Sequence, residues 1–157
     1  VSRAVAVALT LVAAGCGGDG RSGPAAGAPG AAARAAADPR LDAPLPADAA
    51  RVEGPNFHVL AAPLGCPPTG PCTVAADLHA DNGFKVNPDY PHKLVEPSVT
   101  LSAPAEFATR STTRGRLLLS FDRATPGPTT VRGTFKLSVC SADVCQIETA
   151  ALAVVVP

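Results

Sequence analysis

The chain of 157 residues has no Trp, no Met and a single Tyr, and its 13 basic side chains are matched by 13 acidic ones. Each shortage removes a class of protein. With zero net charge and no Lys/Arg block, the electrostatic footprint of a nucleic-acid or polyanion binder is missing, so no nucleic-acid partner is expected. Without Trp, an antibody-type domain lacks the ring that packs on its inter-sheet disulfide. Gly115 and Gly133 stand alone, so there is no phosphate-cradling loop. Ser, His and Asp occur, but no G-x-S-x-G elbow accompanies them, and no hydrolase is predicted. The apolar stretch Ala4 to Ala14, broken only by Thr10, is too short to span a bilayer permanently.

What is present begins with that run. Arg3, an apolar stretch of about ten residues and the small residues Ala13, Ala14 and Gly15 have the order of a secretory signal. The Val start and absence of Met suit translation from a GTG codon in a GC-rich bacterium. The tetrad Ala13-Ala14-Gly15-Cys16 resembles the lipobox of bacterial lipoproteins. That resemblance implies that residues 1–15 are removed and that the Cys16 thiol is lipidated, which anchors the chain to an envelope membrane. Gly17 after the cysteine gives no Asp-type inner-membrane retention cue, so the expected address is the outer membrane, facing the periplasm.

Residues 17–50 contain 13 Ala, 6 Gly and 5 Pro, with Leu41 and Leu45 the only large apolar side chains. Such a segment cannot bury enough surface to offset its ordering entropy, so residues 16–51 are expected to form a disordered linker behind the lipidated cysteine. From residue 52 the apolar period becomes two. Val74, Ala76, Leu78 and Ala80 share one face of "TVAADLHA". The same alternation places Val99 with Leu101, Leu117 with Leu119 and Phe121, and Val131 with Phe135, Leu137 and Val139. Alternation of this kind predicts antiparallel strands with one buried face. Turn residues at Asp81, Asn87, Ser102 and Thr125 punctuate them. About seven strands in residues 52–157, with no convincing amphipathic helix, predict an immunoglobulin-like antiparallel β-sandwich.

Four cysteines follow Cys16: Cys66 and Cys72 in "GCPPTGPC", and Cys140 and Cys145 in "SVCSADVC". An even number in an exported chain argues for disulfides, with three connectivities open. Local pairing is the simplest, because the Pro-rich loop and a four-residue hairpin would each bring their flanking cysteines together. Either loop closure would contribute only about 2 kcal/mol in the chain-entropy model. Cys140 falls in phase with Thr134, Lys136 and Ser138 rather than with the apolar set, so it is expected to point outward, where a partner thiol could reach it. Lys136 on that face would lower its thiol pKa, and Asp143 in the loop would raise it. The spacings fit zinc motifs poorly, and neither a metal site nor a cofactor is expected. His58, His79 and His92 read as surface residues, His79 on a polar strand face and His92 in a Pro-rich turn. Tyr90 reads as a turn anchor packed on the sandwich.

The segment "GTFKLSVCSADVCQIE", together with "GFKVNPDYPHKLV", resembles the N-terminal periplasmic domain of the thiol:disulfide interchange protein DsbD. The resemblance covers residues 55–157. It implies an immunoglobulin-like fold in which Cys140 and Cys145 form a redox pair that exchanges disulfides with thioredoxin-like envelope partners. Cys66 and Cys72, which have no counterpart in that resemblance, are expected to form a structural disulfide. The alternative is a non-enzymatic binding or scaffold lipoprotein with purely structural disulfides.

Overall fold

The computed structural model describes residues 38–157. The expected signal peptide, Cys16 and most of the expected linker lie outside the described residues. One helical turn, α1 (Pro39–Asp42), precedes nine strands: β1 (Ala50–Glu53), β2 (Phe57–Pro63), β3 (Gly70–Ala80), β4 (Lys85–Val86), β5 (Lys93–Val95), β6 (Glu106–Ser111), β7 (Arg114–Arg123), β8 (Thr129–Cys140) and β9 (Cys145–Val156). Every pairing is antiparallel. One sheet has the order β1-β2-β3-β7-β6. In the other, β9 runs the full length of β8, and the short strands β4 and β5 take the opposite edge of β8. Two facing antiparallel sheets make a β-sandwich.

The core follows from the period-two pattern. Val74, Ala76 and Leu78 of β3 and Leu117, Leu119 and Phe121 of β7 are buried against Phe135, Leu137 and Val139 of β8 and Leu152 and Val154 of β9. Burying each such Leu, Val or Phe stabilises the fold by about 1.5–3 kcal/mol. Gly133 interrupts the alternation on β8 where a Cβ would meet the Leu94 side chain at 3.0 Å. The turn after β3 is set by "DNG": Asn82 and Gly83 both take positive φ, and the Phe84 N–H donates to the Asp81 carbonyl at 2.9 Å. That tight turn carries the chain from the first sheet to the second.

Three expectations need correction. The described residues form nine strands, because β1, β4 and β5 are too short to show a period. The stretch around Val99 and Leu101 is not a strand; it makes one isolated bridge, Leu101 to Phe121. Here the chain crosses from β5 to β6, Pro97 and Pro104 remove two donors, and Glu96 adopts a positive φ. The predicted linker also ends earlier than residue 51. Residues 38–49 lie against the outer face of the first sheet, and β1 begins at Ala50. That face holds Ala62, Ala75 and Leu118, all buried, together with Arg116. Arg116 aligns with Asp77 across β7 and β3 and grips its carboxylate with Nε and a terminal amine at 2.5 and 2.7 Å. Its other terminal nitrogen donates to the Arg40 and Ala43 carbonyls, both at 2.7 Å. A buried guanidinium needs its donors satisfied, and the Pro-rich segment supplies two of the acceptors.

Candidate functional site

β8 ends at Cys140 and β9 opens at Cys145. The two are register partners on the last rung of a ladder that begins with Thr129 opposite Val156. They form a disulfide, with Cα atoms 3.9 Å apart. The loop between them is held without the sulfurs. The Ser141 N–H donates to the Val144 carbonyl at 2.8 Å, and Ser141 Oγ accepts from the Asp143 and Val144 amides at 3.2 Å each. A serine hydroxyl closing its own turn in this way fixes the hairpin locally.

The two sulfurs are not equivalent. Cys140 is half-buried, between β9 on one side and β4 on the other, whereas Cys145 is exposed on the edge strand. Lys85 is the register partner of Cys140 on β4, and the next pair, Val86 with Val139, is buried inward. Lys85 and Cys140 therefore share the outer face, and cross-strand partners on one face have Cβ atoms about 4.5–5.5 Å apart. The pairing thus places a cationic side chain on the same face as Cys140. The sequence pattern pointed to Lys136; it could not point to Lys85, because the pairing of a two-residue strand carries no periodic signal.

Two exposed apolar side chains flank Cys145. The described residues include three exposed large hydrophobic side chains, and two of them, Val144 (52% exposed) and Ile147 (68%), flank this cysteine. Ile147 was legible in the sequence: inward Ala150, Leu152, Val154 and Val156 set a phase that turns position 147 outward. The start of β9 is tied down by the Asn56 amide, which donates to Gln146 Oε1 at 2.9 Å. The outward face expected along Ser138 is not open. Ser138 is buried, and the Asn87 amide donates to its hydroxyl at 3.3 Å while the Asn87 N–H donates to its carbonyl.

Cys66 and Cys72 form the second disulfide, with Cα atoms 4.2 Å apart. Cys72 is buried opposite Phe121, and Cys66 packs against the core. Buried Arg123 ties this loop to the neighbouring turn by donating to the Pro67 and Gly127 carbonyls. The two disulfides sit at opposite ends of the sandwich, one within its packing and one at its rim.

The histidines separate. His92 is not a surface residue: it fills the open edge between the sheets, its ring stacked 3.9 Å from Phe107, with Phe135 behind and the Tyr90 edge against it. Its Nε2 pairs with the Asn87 carbonyl at 2.8 Å. Burial pushes its pKa below the ordinary histidine value, and the Asn87 contact opposes that shift only in part. His58 and His79 are register partners whose rings stack at 4.5 Å on the outer face of the first sheet, and His58 Nδ1 meets Asp81 Oδ2 at 2.7 Å. Burial, followed by the His58 and Arg114 charges, lowers the His79 pKa. Among the described residues no group of three or more His, Cys, Asp or Glu side chains is placed to hold a metal ion.

No protein-family model matches this chain, and no curated protein or solved structure matches it.

Proposed function

We propose that this chain is an envelope lipoprotein whose β-sandwich, of immunoglobulin-like type, exchanges thiols and disulfides with a thioredoxin-like partner through Cys140 and Cys145. The observation that carries this reading is the contrast between the disulfides. Cys72 is sealed in the core, while Cys145 is exposed between Val144 and Ile147 on a hairpin already closed by Ser141. A staple has little to add there, and an exposed sulfur flanked by two apolar side chains suits docking and attack. The resemblance of residues 55–157 to the DsbD N-terminal domain points the same way.

In the exchange, the Cys145 thiolate attacks one sulfur of a partner disulfide, forming a Cys145–partner disulfide and releasing the partner's other sulfur as a thiolate. The Cys140 thiolate then attacks the Cys145 sulfur. That closes the Cys140–Cys145 bond and frees the second partner sulfur. Two electrons and two protons pass to the partner, and the reverse sequence reduces this domain.

The test is a glutathione or dithiothreitol redox titration of the protein, with each pair read separately by alkylation and mass spectrometry. A Cys140–Cys145 potential well above about −300 mV, with the fold intact on reduction, is the expected result. A lower potential, or unfolding on reduction, favours the binding or scaffold reading with structural disulfides. The Asp143 carboxylate in the loop, which disfavours a neighbouring thiolate, is the observation on that side.

Anchoring rests on Ala13-Ala14-Gly15-Cys16. The expressed protein should partition into detergent and carry a diacylglycerol mass on Cys16. A soluble periplasmic form with an unmodified Cys16 would end this part of the reading.

A further inference from the structure

The exchange chemistry does not use the outer face of the five-stranded sheet, where residues 42–45 roof a cleft of about 310 Å³. Its floor comes from three neighbouring strands. His79 and Asp77 on β3 align with Arg114 and Arg116 on β7, and Leu60 on β2 lies opposite Asp77. The wall beside β6 is shaped by an irregularity. The register between β6 and β7 slips between Thr109 and Ser111, so Arg110 is the extra residue of a bulge. A bulge re-aims its side chain, and the Arg110 guanidinium reaches forward to ion-pair with Asp42 in the roof.

The donors are unequally engaged. Arg116 commits four of its five N–H donors to Asp77 and the two roof carbonyls, and serves as the pillar of the cleft. Arg110 spends one terminal nitrogen on Asp42. Arg114 and His79 make no side-chain hydrogen bond to any described residue, although both line the cleft. Three guanidiniums thus face two carboxylates, Asp42 and Asp77. His79, its pKa lowered mainly by burial, is neutral at pH 7 and leaves one net positive charge. The remaining walls, Pro44, Leu45 and Leu60, are apolar.

We propose that this cleft binds a monocarboxylate bearing a short apolar chain. The carboxylate lies between Arg114 and Arg110 and accepts from the His79 ring, and the apolar chain packs on Leu45 and Leu60. One negative charge neutralises the cleft; a phosphate dianion would face Asp42 and Asp77 with no cation left to offset its second charge. Planar guanidiniums also suit the two oxygens of a carboxylate.

The experiment is an NMR titration of the full chain with sodium hexanoate, read at the His79 ring and the Leu45 and Leu60 methyls. Hexylamine and inorganic phosphate serve as parallel probes. Hexanoate should give a saturable shift at all three residues and raise the His79 pKa, because a bound anion favours the imidazolium. Arg114→Ala, at an exposed position, should keep the fold and weaken binding by about tenfold or more. Three outcomes would overturn the proposal: no saturable shift at His79, unchanged affinity in Arg114→Ala, or phosphate or hexylamine binding as tightly as hexanoate. None of these outcomes bears on the cysteine exchange, since the cleft and Cys145 lie on different sheets.

Discussion

Cys140 and Cys145 face each other across the last rung of a twelve-pair antiparallel ladder, and of the two only Cys145 stands on an exposed edge. On the proposed exchange reading, the asymmetry assigns an order to the sulfurs. Cys140→Ser should therefore accumulate a mixed disulfide through Cys145 when incubated with an oxidised thioredoxin-like protein. Cys145→Ser, left with the half-buried sulfur, should trap several-fold less. Non-reducing electrophoresis with mass spectrometry reads both. Equal trapping by the two variants would contradict the assignment.

Arg116 should prove the largest single polar contributor to stability. Its side chain is 4% exposed, and Arg116→Ala would leave Asp77 and the Arg40 and Ala43 carbonyls without their donor. Removing one partner of a buried pair costs on the order of 3 kcal/mol, a large part of a typical margin of about 5–15 kcal/mol. Urea unfolding should show that loss, and limited proteolysis should open a new cut within residues 38–49. A variant with wild-type protease resistance would mean that the segment is held by something other than Arg116.

Gly115 should resist substitution for a reason outside its own strand. A Cβ there would sit 2.2 Å from Cζ of Phe107, and Phe107 is itself stacked on His92. Gly115→Ala should cost about 1–3 kcal/mol through overpacking. Adding Phe107→Leu should recover part of the loss, so that the double variant is less destabilised than the two single effects summed. Strict additivity in denaturant titrations would show that the clash relaxes elsewhere.

Acid should destabilise the domain partly through His92. Its folded-state pKa lies below the unfolded value of about 6.5, so the unfolded chain takes up the proton first. The stability contributed by the neutral ring is fully present above pH 6.5 and is lost as pH falls through the folded-state value. His92→Phe keeps an aromatic ring against Phe107 and cannot titrate. Its unfolding free energy should fall less steeply between pH 7 and pH 5 than that of wild type, with the His79 contribution remaining. An unchanged slope would mean that His92 does not carry the acid sensitivity.

Local chemistry determined much of this protein. Alternation in residues 73–80, 117–121 and 130–140 fixes which side chains enter the core, because a strand turns successive residues to opposite faces whatever lies around it. Short spacings made local cysteine pairing the simplest of the three connectivities, and the structure has both local pairs, one across a Pro-rich turn and one across a four-residue hairpin. Only the tertiary structure decided what sits opposite what. The two-residue strand that brings Lys85 beside Cys140, the return of Pro91-His92 between the sheets, and the capture of residues 38–49 by Arg116 all depend on contacts distant in sequence. Arg40 and Arg116 are 76 positions apart, and neither has a neighbour in the chain that signals the other. Composition alone makes residues 38–49 look like a linker, since their own apolar surface is too small to hold them. Their order comes from a buried guanidinium that must satisfy its donors, a demand that arises only after β3 and β7 have paired.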